Sequence, residues 1–375
     1  MPFRFIHSAD LHLGKRFGQF SGDLPAKLRE ARHATIAKLA EYARKEGAST
    51  ILLAGDTFDT ETPAPDVRRQ ALAEMHHHAP LRWVILPGNH DSLQAAQLWA
   101  SLRSEAPDNV TLAVEAAPLD LAPGVTLLPA PCTTRRPGRD TTAWMDAAAT
   151  AEGTIRIGLA HGAVQRFSEE GTGLDVIAPD RARRSGLAYL ALGDWHGGVE
   201  IDPRTRYSGT PEPDQFKHGR PGEALLVSIE NTMALPEVTP FQTGAFIWRD
   251  LALDLLDGDD AIARLQALIP ELRLRRHALV RLSARGHVRL EARAALAAAI
   301  EKVQPDFGYL AFEDDDLTTE CEPEDLDAID HGGALREAAD ALLAEAGDDR
   351  LSSEERSIAQ AALNRLFSYA QAVKA

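Results

Sequence analysis

Short apolar, β-branched runs alternate with longer amphipathic stretches over the first two thirds of the chain. The runs that predict strands are residues 3–6, 50–53, 83–86, 155–159 and 189–192. Between the first of them, residues 24–45, 67–78 and 93–104 have the spacing of helices. This alternation predicts an α/β fold, a sandwich of layered β-sheets flanked by helices.

Polar residues follow each of these predicted strands. They form the phrases Asp10-Leu-His12, Gly55-Asp-Thr-Phe-Asp59, Gly88-Asn-His-Asp91 and Gly193-Asp-Trp-His196, and His161 follows the fourth strand. Loops at the carboxyl ends of strands converge on one ligand crevice in α/β domains. Aspartate, histidine and asparagine, with glycines that permit sharp turns, are typical of a metal site there. Any one phrase alone is also typical of an ordinary turn, so the prediction depends on the whole ordered series.

This donor set predicts a site for two divalent ions. Such a pair, about 3.5–4 Å apart, can hold a phosphodiester, lower the pKa of a bound water and stabilise the attacking and leaving oxygens. We predict that Asp56, in the tightest turn, bridges the two ions. The remaining ligands divide into Asp10, His12 and His196 for one ion and Asn89, His161 and Asp194 for the other.

Three further residues are predicted to be catalytic. His90, next to a ligand, can donate a proton or a hydrogen bond to the scissile phosphate or the leaving oxygen. Asp59 and Asp91 are predicted to support the site from behind the ligands, and the alternative for both is a simple turn residue.

The order of the phrases resembles the signature of the calcineurin-like metallophosphoesterases, D-x-H, G-D-x-x-D, G-N-H-D, H and G-H-x-H. Longer strings resemble the SbcD branch of DNA nucleases: HSADLHLG at 7–14, LAGDTFD at 53–59, LPGNHDS at 86–92 and YSGTP at 207–211. The resemblance is strong over residues 1–235 and extends to the remainder only by layout. It implies an exonuclease, with endonuclease action open, that requires Mn²⁺ or else Mg²⁺. It also implies a role in DNA repair or end processing, an SMC-like (SbcC-type) ATPase partner and a homodimer.

One position departs from the family pattern. Asp194 stands where the family usually has the first histidine of G-H-x-H. A carboxylate is a legitimate ligand for Mn²⁺ or Mg²⁺, and it adds negative charge to the site. We expect Asp194 to bind the second ion; the alternative is a one-metal enzyme in which this side chain is too short to reach.

The sequence predicts three parts. Residues 1–235 form the nuclease domain, and residues 244–313 form a small α/β unit that the resemblance identifies as a capping domain. An acidic stretch at 313–330 is predicted to be a linker. Residues 331–375 contain two helical segments, the second opening with a capping-box spacing at Ser352 and Glu355 and carrying an apolar stripe from Ile358 to Tyr369. These helices either bind the ATPase partner or pack on their own domain.

Composition limits the classes further. No apolar run approaches the roughly 20 residues that span a bilayer, so we expect a cytoplasmic protein without a membrane partner. The two cysteines do not suggest a disulfide framework. The formal net charge of −16 argues against tight DNA binding by the chain alone. Basic patches occur at Arg135 to Arg139, Arg181 to Arg184 and Arg273 to Arg289, each either a phosphate contact or a solvated face.

Two other functions remain open from the sequence. The metal phrases are shared with phosphoprotein phosphatases and small-molecule phosphodiesterases, although the SbcD-like strings and the carboxy-terminal modules count against these. A non-enzymatic subunit that binds DNA ends or the ATPase is the second alternative. Its support is the change at Asp194, and the intact Asn89 and His90 count against it.

Overall fold

Two six-stranded sheets form the first of two units into which the chain divides, Met1–Ile247 and Trp248–Ala375. The computed structural model describes residues 2–165, 176–217, 219–321, 323–327 and 329–374. In the first sheet the strand order is β12-β11-β1-β2-β3-β4, with β1 to β4 parallel and β11 and β12 antiparallel. The bounds are β1 (Phe3–Ser8), β2 (Thr50–Leu53), β3 (Arg82–Ile85), β4 (Val110–Leu112), β11 (Glu223–Ile229) and β12 (Glu237–Gln242).

The second sheet has the order β5-β6-β7-β8-β10-β9. Its four central strands are parallel, and both edge strands pair antiparallel with their neighbours. The bounds are β5 (Leu119–Ala122), β6 (Val125–Ala130), β7 (Ile155–His161), β8 (Tyr189–Gly193), β9 (Val199–Asp202) and β10 (Thr205–Tyr207). The parallel strands β1 to β3 and β7 to β8 bring all the polar phrases to strand carboxyl ends.

One apolar core lies between the two sheets and a second lies under the helices. Phe5, Leu52 and Val84 of the first sheet pack with Leu127 and Leu159 of the second. Helices α1 (Leu24–Glu46), α2 (Pro65–His77) and α3 (Ala96–Glu105) cover the other face of the first sheet, and the short α4 (Arg181–Arg184) precedes β8. The predicted α/β fold of layered sheets flanked by helices is confirmed.

The second unit contains a three-stranded sheet in the order β13-β14-β15, whose last two strands are parallel. Its elements are β13 (Ile247–Leu255), α5 (Ala261–Leu268), α6 (Leu272–Arg275), β14 (Ala278–Arg289), α7 (Leu290–Val303), β15 (Tyr309–Glu320), α8 (Pro323–Asp327), α9 (Ala334–Ala346) and α10 (Ser353–Lys374). Helices α5 and α7 pack on this sheet through an apolar core of their own. No helix within the described ranges has both the length and the apolarity needed to cross a bilayer.

The acidic stretch is partly wrong as a linker, because its first eight residues continue strand β15 to Glu320. Leu310 and Leu317 are buried in the core while the carboxylates between them are largely exposed, so pairing with β14 outweighs the charge. Residues 322 and 328 of that stretch lie outside the described residues.

The carboxy-terminal helices pack within the second unit. Leu363 and Phe367 of α10 are buried with Ala339 of α9 and Leu290 of α7. The capping box is confirmed, since Glu355 N donates to Ser352 Oγ and Ser352 N donates to the Glu355 carboxylate. The predicted apolar stripe is displaced by one position, leaving Ile358 and Tyr369 63% and 61% exposed.

Candidate metal centre

The loops that carry the predicted ligands have an unusual backbone. Among the described residues, five non-glycine residues have positive φ, and four of them are Asp10 (55°), His12 (42°), Asp56 (53°) and Asp194 (103°). This region is disfavoured for residues with a Cβ, and strain of this kind concentrates at functional sites. Hydrogen bonds between the loops hold it, including Asp10 N to Gly55 O at 3.1 Å and His12 N to Asp56 O at 2.9 Å.

Glycines let these loops approach each other closely. A Cβ at Gly88 would lie 2.1 Å from Asp56 Oδ1, and one at Gly55, whose φ is +92°, would lie 2.3 Å from His161 Nδ1. Since real Cβ atoms do not approach other atoms so closely, any side chain at these positions would displace Asp56 or His161.

Four histidines at the site share one orientation, in which Nδ1 faces a protein oxygen. His196 Nδ1 lies 2.9 Å from Asp214 Oδ1, His161 Nδ1 lies 2.8 Å from Ala54 O, and His90 Nδ1 lies 2.9 Å from Asp59 O. His12 Nδ1 lies 3.2 Å from an oxygen of the Asp59 carboxylate. Carbonyl and carboxylate oxygens accept protons, so Nδ1 carries the hydrogen and Nε2 keeps a lone pair for a ligand.

The lone-pair nitrogens and the carboxylates converge around Asp56. Asp56 Oδ2 lies 3.7 Å from His12 Nε2 and 3.6 Å from His161 Nε2, which places it between these two rings. Three sets of potential ligand atoms lie within 4.8 Å of one another: Asp10 with His12 and His196, His12 with Asp56 and His90, and Asp10 with Asp56 and His161.

Asn89 and Asp194 lie beside the His161 part of the cluster. Asn89 Nδ2 donates to Asp194 Oδ1 at 3.0 Å, and His161 Nε2 lies 3.7 Å from the same oxygen. Within the described residues, Asn89 Oδ1 and His161 Nε2 are buried and have no hydrogen-bond partner. Buried polar atoms of this kind need a partner, and an oxygen with an imidazole nitrogen fits a divalent cation.

The electrostatics of the cluster also fit a cation. Burial, with the neighbouring carboxylates of Asp56 and Asp194, raises the pKa of Asp10 to about 6 against the opposing effect of His161 and His196. Burial alone would lower the pKa of His161, yet the carboxylates around it raise that pKa to about 9. Crowded buried carboxylates thus require a positive neighbour, which a divalent ion supplies.

The residues predicted to be catalytic lie directly behind the ligands. His90 is half-buried, and its backbone N donates to Asp56 Oδ1 at 2.8 Å. Asp59 contacts His12 and His90 as described above. The buried Asp91 carboxylate accepts from Gly88 N at 2.7 Å and Phe58 N at 3.0 Å, which ties two of the ligand loops together. Burial raises the pKa of Asp91 to about 7.

Two polar residues that support the ligands were not predicted from the sequence. Arg32 is 1% exposed and donates to the backbone oxygens of Asp10, Leu11 and Glu212 at 2.7–2.9 Å. Its signal was an arginine on the otherwise apolar buried face of α1. Asp214, which contacts His196, follows the YSGTP string by only three residues and could have been identified by that proximity.

The basic patches of the first unit differ from each other. Arg181 pairs with Asp140 and Asp146 at 2.6 Å, so it is part of a structural ion-pair network. Arg135, Arg136 and Arg139 are exposed, and the described chain offers them no hydrogen-bond or ion-pair partner.

The loop that carries Arg135, Arg136 and Arg139 begins beside the ligands. Cys132 N donates to Pro87 O at 3.1 Å, and Leu93 N donates to Cys132 O at 2.9 Å. Cys132 therefore contacts both ends of the turn that holds Asn89 and His90.

Residues 3–198 match the sequence model of the calcineurin-like phosphoesterase family. Two curated relatives each carry the description of the D-type component of the nuclease SbcCD. The Rhodobacter capsulatus protein is 36% identical over 112 residues, 28% of this chain and 24% of that protein. The Escherichia coli K12 protein is 31% identical over 136 residues, 34% of this chain and 32% of that protein. The chain thus spans about a quarter to a third of these relatives' length.

Among solved structures, TT1561 of Thermus thermophilus aligns with a TM-score of 0.42 and 10% identity, over 65% of this chain and all of that one. About a third of this chain therefore has no counterpart in that structure.

Proposed function

Because the chain belongs to the calcineurin-like phosphoesterase family, we propose that it is a Mn²⁺-dependent DNA nuclease with a two-metal site. The observation that carries the proposal is the convergence of histidine Nε2 atoms and carboxylates on the two sides of Asp56. Asp10, His12 and His196 would hold one ion, Asn89, His161 and Asp194 the other, and Asp56 both. When bound, two such ions hold the phosphodiester, activate a water and stabilise the attacking and leaving oxygens.

The residues of the chain have separate roles in this mechanism. Asp59 and Ala54 fix the tautomers of His12, His90 and His161 through Nδ1, so these rings need no rearrangement during the reaction. His90 is assigned the proton transfer to the leaving oxygen. It is more exposed than His12 and His161, and the other ligand sets are complete without it. Asp91 holds the turn that carries His90.

The choice of Mn²⁺ rests on the mixed donor set. Imidazole and carboxylate together suit first-row transition metals, and the extra carboxylate of Asp194 favours a hard ion. Mg²⁺ fits the oxygen donors but prefers fewer nitrogen ligands. Mn²⁺ is the ion that accepts both kinds of donor.

DNA as substrate is supported by the relatives, both described as components of a nuclease. It is also supported by Arg135, Arg136 and Arg139, three exposed cations on a loop that leaves the ligand turns at Cys132. Lysine and arginine contacts to phosphate supply most of the affinity for nucleic acid backbones. In a chain with net charge −16, positive charge near the site gives a local attraction.

The proposal includes an SbcC-type ATPase partner, homodimerisation and a cytoplasmic location. Exposed Ile358 and Tyr369 on α10 are available for a partner helix, while the opposite side of α10 packs on α9. The free thiols of Cys132 and Cys321 are consistent with a reducing compartment.

Cleavage of end-labelled single- and double-stranded DNA, with Mn²⁺, Mg²⁺ or chelator, tests the proposal. Cutting that requires Mn²⁺ and disappears in Asp56→Ala is expected. Hydrolysis of bis-p-nitrophenyl phosphate without DNA cutting would indicate another phosphodiester substrate or a requirement for the ATPase. Failure of both reactions would favour the non-enzymatic alternative.

A further inference from the structure

The carboxylate of Asp214 is enclosed between two donors from different parts of the chain. Its side chain is 1% exposed. Oδ1 lies 2.9 Å from His196 Nδ1, and Oδ2 lies 2.7 Å from Lys15 Nζ. We propose that Asp214 is a positioning residue for the metal centre, which fixes the tautomer and the direction of the His196 ring. This inference rests on the proposed metal site.

The contact decides which nitrogen of His196 is free to bind a cation. An ionised carboxylate only accepts hydrogen bonds, so Nδ1 carries the proton and Nε2 keeps its lone pair. That Nε2 lies 3.2 Å from His12 Nε2, and both rings belong to a ligand set with Asp10. With the other tautomer, Nε2–H would point at its neighbour and the set would lose a ligand.

Lys15 keeps Asp214 ionised and stationary. Its ammonium occupies the second carboxylate oxygen and comes from the loop that also carries His12. Although burial opposes ionisation, the His196 contact and the positive charges of Arg32 and Lys15 hold the pKa of Asp214 well below its ordinary value. A carboxylate held by a donor on each oxygen cannot rotate away from His196, and a negative partner also makes the imidazole a stronger ligand.

The segment that carries Asp214 is anchored without help from His196. Residues 210–214, here called the strap, connect β10 to β11. Thr210 Oγ1 lies 2.8 Å from Asp10 O, and Arg32 Nη1 donates to Glu212 O at 2.7 Å. The Glu212 carboxylate accepts from Ala245 N and Phe246 N at 2.6 and 2.9 Å. The strap therefore sets the position of Asp214, and His196 adapts to it.

Glu212 gives a matched control, because it is a buried carboxylate on the same strap that contacts backbone amides rather than a ligand. Mn²⁺ binding to the full chain, followed through the electron paramagnetic resonance signal of free Mn²⁺, gives affinity and stoichiometry. We expect Asp214→Ala and the isosteric Asp214→Asn to weaken one ion by about 10- to 100-fold. Glu212→Gln should leave both affinities unchanged even where it lowers the melting temperature in chelator.

A His196→Ala background separates positioning from structure. If Asp214 acts through His196, Asp214→Asn has no further effect on the remaining ion in that background. In metal-free protein labelled with ¹⁵N-histidine, the His196 signal should report the Nδ1–H tautomer in the wild type and lose that preference in Asp214→Ala.

Unchanged Mn²⁺ affinity in Asp214→Ala, or an equal loss in the His196→Ala background, would overturn the positioning role while leaving the proposed function intact. A wild-type chain that binds no Mn²⁺ would overturn both.

Discussion

Asn89 donates a hydrogen bond to Asp194, with 3.0 Å between Nδ2 and Oδ1. The residue that departs from the family pattern is thereby coupled to one predicted ligand, and it lies 3.7 Å from the Nε2 of another, His161. Its backbone N also lies 3.1 Å from the Asp10 carboxylate. The substitution is thus integrated into the site rather than turned away from it.

Asp194→Ala should reduce the bound Mn²⁺ from two ions per chain to one, because the second ion loses its carboxylate. Metal analysis after gel filtration measures the stoichiometry. Asp180→Ala, which removes an exposed carboxylate paired with Arg183, is the matched control and should retain both ions. Two ions in Asp194→Ala would remove this residue from the ligand set.

Metal removal should destabilise the first unit. A ligand that binds only the folded state adds about 2.7 kcal/mol to the free energy of unfolding at a hundredfold excess over its dissociation constant. We expect the melting temperature to fall with chelator, to recover with Mn²⁺ and to respond much less in Asp56→Ala. A wild-type melting temperature that ignores Mn²⁺ would contradict the site.

His90→Ala should keep Mn²⁺ and DNA binding but lose about 10²- to 10⁴-fold in cleavage rate, the usual contribution of a positioned proton donor. Single-turnover cleavage with saturating Mn²⁺ measures this loss. His77→Ala, at the exposed end of α2, is the control. Loss of bound metal in His90→Ala would instead make His90 a ligand.

Replacing Arg135, Arg136 and Arg139 together with alanine should weaken DNA binding in chelator. It should also reduce the slope of log affinity against log salt by about 0.9 for each duplex phosphate that the loop no longer binds. Hydrolysis of bis-p-nitrophenyl phosphate should be unchanged, since the metal ligands are intact. Fluorescence anisotropy at several salt concentrations measures the slope.

The matched control for that variant removes three exposed arginines that pair with nearby carboxylates: Arg183, Arg273 and Arg350. Both triple variants lose the same formal charge. Equal effects on the salt slope would show that net charge, not the loop, governs DNA affinity.

Acid should destabilise the fold through His7, which is fully buried between Tyr189 Oη at 3.0 Å and Leu192 O at 3.1 Å. Burial lowers the pKa of His7 to about 3. The unfolded state therefore takes up the proton near pH 6.5, and stability is lost as pH falls from there toward 3. The cost at pH 5 relative to pH 7 is about 2 kcal/mol.

Urea unfolding at both pH values measures this cost. His7→Gln should flatten the difference between pH 7 and pH 5, whereas Tyr189→Phe, which keeps the titrating ring, should retain it. A pH dependence unchanged in His7→Gln would show that other groups cause the acid loss.

The sequence predicted the strands next to the ligands because each is a short apolar run that ends at a polar phrase. It could not predict Asp214, whose contact with Lys15 joins residues 199 positions apart. It also failed at β15, where acidic composition suggested a linker although Leu310 and Leu317 alone anchor the strand in the core. Local patterns fix elements, whereas long-range polar contacts require the fold.

The position of the strap in the chain has a consequence for biosynthesis. Asp10 and His12 leave the ribosome among the first residues, but Arg32 and the strap that hold their loop meet only after residue 214 has been made. A nascent chain therefore carries these ligands for most of its synthesis without a centre that can select its ion. Metal loading is confined to the nearly complete polypeptide.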